Sequence, residues 1–120
     1  MNPVFLQLNQ NFTTLEEQLM HTYNELIAKN YPEVADRLLA LVKEFFTQIS
    51  DLFEKFMSGK LTDLVLHFLQ EIEDFIIDVY NQYSLPKSEI FEKATKLLIH
   101  RIRNEVIELD QYRQIIFTNK

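Results

Sequence analysis

Three histidines, eighteen acidic side chains and no cysteine are the groups with which this chain of 120 residues could do chemistry. Without cysteine there is no thiol nucleophile, no zinc-finger or iron-sulfur ligand set and no disulfide. A carboxylate-bridged di-iron site on a helical scaffold needs Glu-x-x-His on two helices. The residues three before His21, His67 and His100 are Gln18, Leu64 and Leu97, so the motif is missing at all three. His21 sits instead in Glu17-x-x-x-His21-x-x-x-Glu25, the spacing of side chains that pair along a helix surface. A single glycine excludes phosphate loops and dinucleotide turns, which need several positions where the backbone closes on a ligand. No cofactor is expected.

Two carboxylate patterns remain. His67, Glu71, Asp74 and Asp78 recur at steps of four, three and four, which places them on one solvent-facing line of a helix. Such a line is either a solvated face or a strip that takes a cation or a basic partner. Leu66 and Ile77 fall outside the main apolar arc of the same helix and are the candidate apolar anchors of an interface. The second pattern is a violation. Glu105 falls between Leu98, Leu109 and Tyr112, inside the apolar arc of the last helix. A buried carboxylate without a partner costs several kcal/mol, so the sequence must supply one. Arg101, one turn earlier, is the expected partner, and Tyr112 or an asparagine from another helix could complete the network.

Glu105-x-x-Glu108 and Glu71-x-x-Asp74 also have the spacing of paired metal ligands. In these four residues the chain resembles the all-α nucleotide pyrophosphohydrolases of the MazG type, which hold magnesium with Glu-x-x-Glu and Glu-x-x-Asp pairs on neighbouring helices. The resemblance implies a magnesium-dependent hydrolase with those four side chains as ligands. The chain departs from that pattern in one respect: Glu71 and Asp74 project to solvent while Glu105 projects to the core, so the pairs do not converge without a different packing.

The elements that carry these residues are marked by the rare residues. Asn2-Pro3 reads as a helix start, with asparagine as cap and proline at the first helical position. Phe5, Leu8, Phe12, Leu15, Leu19, Thr22 and Leu26 then follow at steps of three and four, and only Thr22 interrupts the apolar series. Asn30-Tyr31-Pro32 stops that helix, because the residue before a proline is pushed out of the α region. A second face runs through Ala35, Leu38, Val42, Phe45, Ile49, Leu52 and Phe56, flanked by Leu39, Phe46 and Phe53. Its wide arc, reaching Met57, makes it the central core helix, and Gly59 is its C-cap. Thr62 is the next cap, and Val65, Phe68, Leu69, Ile72, Phe75, Ile76, Val79 and Tyr83 follow. The last helix starts near Pro86 or Ser88 and uses Ile90, Phe91, Ala94, Leu98, Ile102, Leu109, Tyr112 and Ile116.

The spacing therefore predicts helices over about 3–30, 32–58, 62–83 and 87–117 in one domain covering 1–120. Connections this short favour antiparallel neighbours. The expected fold is all-α, an antiparallel up-down-up-down four-helix bundle, with helical hairpins that dimerise into a bundle as the alternative.

Charge separates the last two helices. Residues 61–84 carry five acidic and no basic side chains, and residues 85–120 carry seven basic and five acidic ones. Glu73, on the flank of the third helix, can thus reach a lysine or arginine on the fourth. The net charge of -6 and pI near 5.0 are the wrong sign for nucleic acid. The start lacks a basic and apolar leader, and the densest apolar run, 64–69, is far short of the roughly 20 residues that span a bilayer. The expectation is a cytoplasmic, non-enzymatic protein of regulatory, inhibitor or immunity type. It acts on a protein partner that is basic, or on further copies of itself.

Overall fold

The computed structural model describes residues 3–83 and 88–118, and among them there are five helices and no strand. They are α1 (Pro3–Ala28), α2 (Pro32–Gln48), α3 (Leu52–Met57), α4 (Leu61–Gln82) and α5 (Ser88–Thr118). Asn2, Pro86 and the connection around it lie outside the described residues.

Two of the helix ends follow directly from residue type. After α1, the Tyr31 N–H bonds the Leu26 carbonyl at 2.8 Å and the Asn30 N–H bonds Ile27 at 3.0 Å, with Asn30 at φ 66°. After α3, the Lys60 N–H bonds Lys55 at 3.0 Å and the Gly59 N–H bonds Phe56 at 3.1 Å, with Gly59 at φ 77°. Both are Schellman endings, each of which needs one residue in the left-handed region: glycine enters it freely, and asparagine at little cost. Pro32 opens α2 as expected. Thr62 is not a cap: α4 already begins at Leu61, with Lys60 at the cap position and no side chain bonding there.

The expected second helix is divided. Residues 49–51 are a turn: the Ser50 N–H reaches back only three residues, to the Thr47 carbonyl, and the Ser50 hydroxyl donates to that same carbonyl at 2.9 Å. A serine hydroxyl that satisfies a carbonyl competes with the helical ladder, and Ser50-Asp51 is a pair suited to starting a helix rather than continuing one. Beyond the turn, α3 buries Leu52 and Phe56 but turns Phe53 and Met57 outward, against the expectation that the arc stays buried to Met57.

One apolar core runs through all five helices. α1 packs along α2 and α5, and α4 packs along α5, while α2 and α4 touch more sparingly. The whole measures 56 × 24 × 21 Å. At its middle Phe45 of α2 is fully buried, stacked on Phe68 of α4 at 4.2 Å between ring centroids and meeting Phe12 of α1 edge-on at 5.5 Å. No helix among the described residues is long and apolar enough to cross a membrane.

Candidate functional site: an apolar groove at one end and a polar seam along the core

The break after α2 leaves the end of the molecule open. Because α3 is only six residues long and set off by a turn, it does not cover the last turns of α5. A groove of about 960 Å³ results, bordered by the start of α1, by α3 and by the end of α5. Its floor is buried aromatic and aliphatic surface: Phe5 meets Phe56 edge-on at 5.0 Å, beside Ile49 and Leu52. The walls are exposed. Phe53, Met57, Tyr112 and Ile116 keep between 40 % and 65 % of their surface in solvent, and Phe117 borders them. Tyr112 and Ile116, expected in the core of the last helix, are therefore wall residues, since the neighbour that would have covered them ends or turns away.

The charged side chains among the groove's described lining residues are Asp51 and Glu54, both acidic. The nearest described arginine is already engaged: Arg113 donates from Nε to the Met57 carbonyl at 3.3 Å, and its guanidinium lies 5.1 Å over the Phe117 ring. It also presses on Gly59, where a Cβ would come within 3.0 Å of the guanidinium carbon. Arg113 thus satisfies the carbonyl end of α3, where a cation is favoured.

The second constellation lies along α1. Asn11 is buried, and its Nδ2 donates to Oε1 of Glu105 at 2.7 Å. Glu105 is half-buried, as its place on the helix wheel required, but its partner is the asparagine from α1. The expected pair with Arg101 does not form, because Arg101 stands exposed on the outer side of α5. Two and three turns further along α1, the fully buried Thr95 donates to Oε1 of Gln18 at 3.1 Å, and the fully buried Thr22 hydroxyl lies 3.2 Å from the Tyr80 hydroxyl of α4. Burial holds the Tyr80 phenol above its ordinary value of 10.0; the Thr22 hydrogen bond opposes the shift, and Glu25 and Glu92 add to it. Among the described residues no buried side-chain nitrogen or oxygen lacks a partner.

The acidic line of α4 is exposed as expected. His67 Nε2 lies 3.0 Å from Glu71, and Gln70 donates to Asp74 at 3.0 Å, so two of its carboxylates are already engaged along the helix. Asp78 is also exposed. Leu66 and Ile77, expected as free anchors beside this line, are half-buried, because α4 has neighbours on more than one side and they cover its flanks. Glu73 does reach the fourth predicted helix: Arg103 holds it at 3.3 Å and also bonds Gln70. The two carboxylate pairs of the MazG-type resemblance are not brought together. Glu71 and Asp74 are exposed on α4, Glu108 is exposed on α5, and Glu105 faces Asn11. No three His, Asp or Glu side chains among the described residues form a group suited to a metal ion.

The described chain is an all-α protein with an open apolar groove at one end. Compared with protein-family models, with curated proteins and with solved structures, it matches none. The groove had a signal in the sequence: Ile115, Ile116 and Phe117 are consecutive, and three apolar residues in a row on a helix cannot all face one core.

Proposed function

We propose that the chain is a non-enzymatic helical bundle that works in the cytoplasm by binding another protein, as a regulatory, inhibitor or immunity-type partner, and that the groove between α1, α3 and α5 is the binding surface. In this reading residues 1–120 act as one domain of four antiparallel up-down-up-down layers, with α2 and α3 together forming one layer. The observation that carries it is the clustering of exposed apolar side chains: Phe53, Met57, Tyr112 and Ile116 line one groove, whereas Leu66 and Ile77 are half-buried. Large aromatic and aliphatic side chains around a pocket are what supplies affinity at protein interfaces, and contiguous apolar surface on a soluble protein marks such sites.

The test is site-specific photo-crosslinking in the cells that make the protein, with p-benzoylphenylalanine in place of Phe53 or, separately, of His67. The expected outcome is a discrete protein adduct at position 53, lost on Ile116→Ser, with little at position 67. Adducts confined to position 67 would move the binding surface to the acidic line of α4, where charge reversal at Asp74 and Asp78 should then weaken binding. No protein adduct at either position would end the reading.

A further inference from the structure

We infer that the groove receives an amphipathic helix of the partner, one that carries lysine or arginine along the margins of its apolar face. This rests on the groove being a protein-binding surface and adds the form and charge of what it binds.

The form follows from the dimensions of the walls. The six residues of α3 and the six residues 112–117 of α5 each rise about 9 Å, so the apolar walls match nearly two turns of an incoming helix, which presents anchors at i, i+3 or i+4, and i+7. The charge follows from the margin. Among the described lining residues Asp51 and Glu54 are the charged ones and none is lysine or arginine, and Arg113 beside the groove is held by the Met57 carbonyl and the Phe117 ring. An acyl chain with an anionic head would meet the carboxylates of Asp51 and Glu54 there. A second copy docking the same patch against itself would bring four carboxylates, Asp51 and Glu54 of each copy, into one interface between chains of net charge -6 each. A cationic helix relieves both carboxylates while its apolar face covers Phe53 and Ile116.

The probe is a fluorescein-labelled 14-residue peptide with leucine at i, i+3, i+4 and i+7 and lysine elsewhere. It is compared with a twin carrying glutamate for lysine, and with dodecanoate. Anisotropy gives affinity and methyl NMR gives location. The lysine peptide should bind at least about tenfold more tightly than its glutamate twin and should shift the methyl signals of Ile49, Met57 and Ile116. Phe53→Ser with Ile116→Ser should weaken it by at least about tenfold, and both side chains are exposed enough for circular dichroism to show an unchanged fold. Asp51→Asn with Glu54→Gln should narrow the preference for lysine over glutamate.

Equal binding of the twin peptides overturns the inference, as do shifts confined to Leu66 and Ile77, or binding of dodecanoate without the lysine peptide. A dimer by light scattering, with the groove methyls protected at its interface, overturns it in favour of a second copy. If crosslinking at position 53 captures a protein while the lysine peptide fails to bind, the groove remains a protein site and only the helix assignment falls.

Discussion

Along the α1 seam, each buried polar side chain meets a partner from another helix, Asn11 with Glu105, Thr95 with Gln18 and Thr22 with Tyr80, whereas at the α3 end apolar side chains are left without cover. The seam spends buried polar groups where an apolar core would pack equally well. Such groups penalise any sliding of α1 against α4 and α5, because a shift of one turn would leave several of them unpaired. The groove keeps apolar surface in water where folding alone would have hidden it. Polar groups inside and apolar groups outside are the two departures from simple burial: the first opposes sliding of the helices, and the second, in the reading proposed above, is a surface for a partner.

The sharpest way to break that contrast uses two phenylalanines on one short helix. Phe56 is 6 % exposed and packs on Phe5, while Phe53, three residues before it, is 65 % exposed. Phe56→Ala should cost about 3–5 kcal/mol in chemical denaturation, whereas Phe53→Ala should stay within about 0.5 kcal/mol of the parent. Similar losses at both positions would mean that Phe53 is a structural residue and that the groove is part of the core.

The seam is tested next. Asn11→Leu alone should cost about 1–3 kcal/mol, because the half-buried Glu105 carboxylate loses its donor. Asn11→Leu combined with Glu105→Leu should recover most of that loss, since removing both partners leaves no unpaired group. Urea denaturation of the two singles and the double completes the cycle. A double variant as weak as the sum of the singles would show two independent packing roles instead of one polar contact.

What could be read from the sequence divides along the same line. Backbone conformations tied to residue type were legible: Gly59 enters the left-handed region and Pro32 opens a helix. Periodicity correctly placed Phe45, Ile72 and Ile102 in the core, and marked Thr22 and Glu105 as polar residues on apolar faces. For Glu105 it offered Arg101 first and an asparagine from another helix second, without saying which asparagine, because Asn11 and Glu105 are 94 residues apart and only the packing of α1 on α5 joins them. It was also blind to the break after Gln48. Phe45, Ile49, Leu52 and Phe56 keep helical steps across it, and neither glycine nor proline marks it, so the turn shows only in Ser50 and Asp51. Apart from the run Ile115, Ile116 and Phe117 the groove was hidden with it, since the exposure of Tyr112 and Ile116 depends on where α3 stops covering them.

Gly59 belongs to the groove side of the comparison, as it follows the helix that forms the groove wall. Gly59→Ala should cost about 1–2 kcal/mol from the left-handed conformation alone. A further part comes from the Arg113 guanidinium, 3.0 Å from where the new Cβ would stand. In an Arg113→Ala background that second part should vanish while the first persists, and thermal melts of the four proteins separate them. A cost that disappears entirely with Arg113 would show that crowding, and not backbone strain, makes glycine necessary there.

The smallest effect is a pH dependence confined to the seam. Tyr80 touches Thr22, with Glu25 of α1 and Glu92 of α5 adding negative potential, and burial is the main reason its phenol resists ionisation. A folded-state value above the unfolded one means that the fold favours the protonated, neutral phenol. Its contribution is therefore complete below about pH 10 and is lost as pH rises through the folded value. Tyr80→Phe should lose about 0.5–1.5 kcal/mol at neutral pH with the Thr22 hydrogen bond, yet decline less steeply than the parent above pH 10. Urea denaturation from pH 8 to 11, with the tyrosinate absorbance followed in parallel, measures both slopes. Parallel declines in the two proteins would remove Tyr80 from the seam's alkaline sensitivity, and the Thr22 contact would then be a neutral packing contact on the same footing as the apolar ones around it.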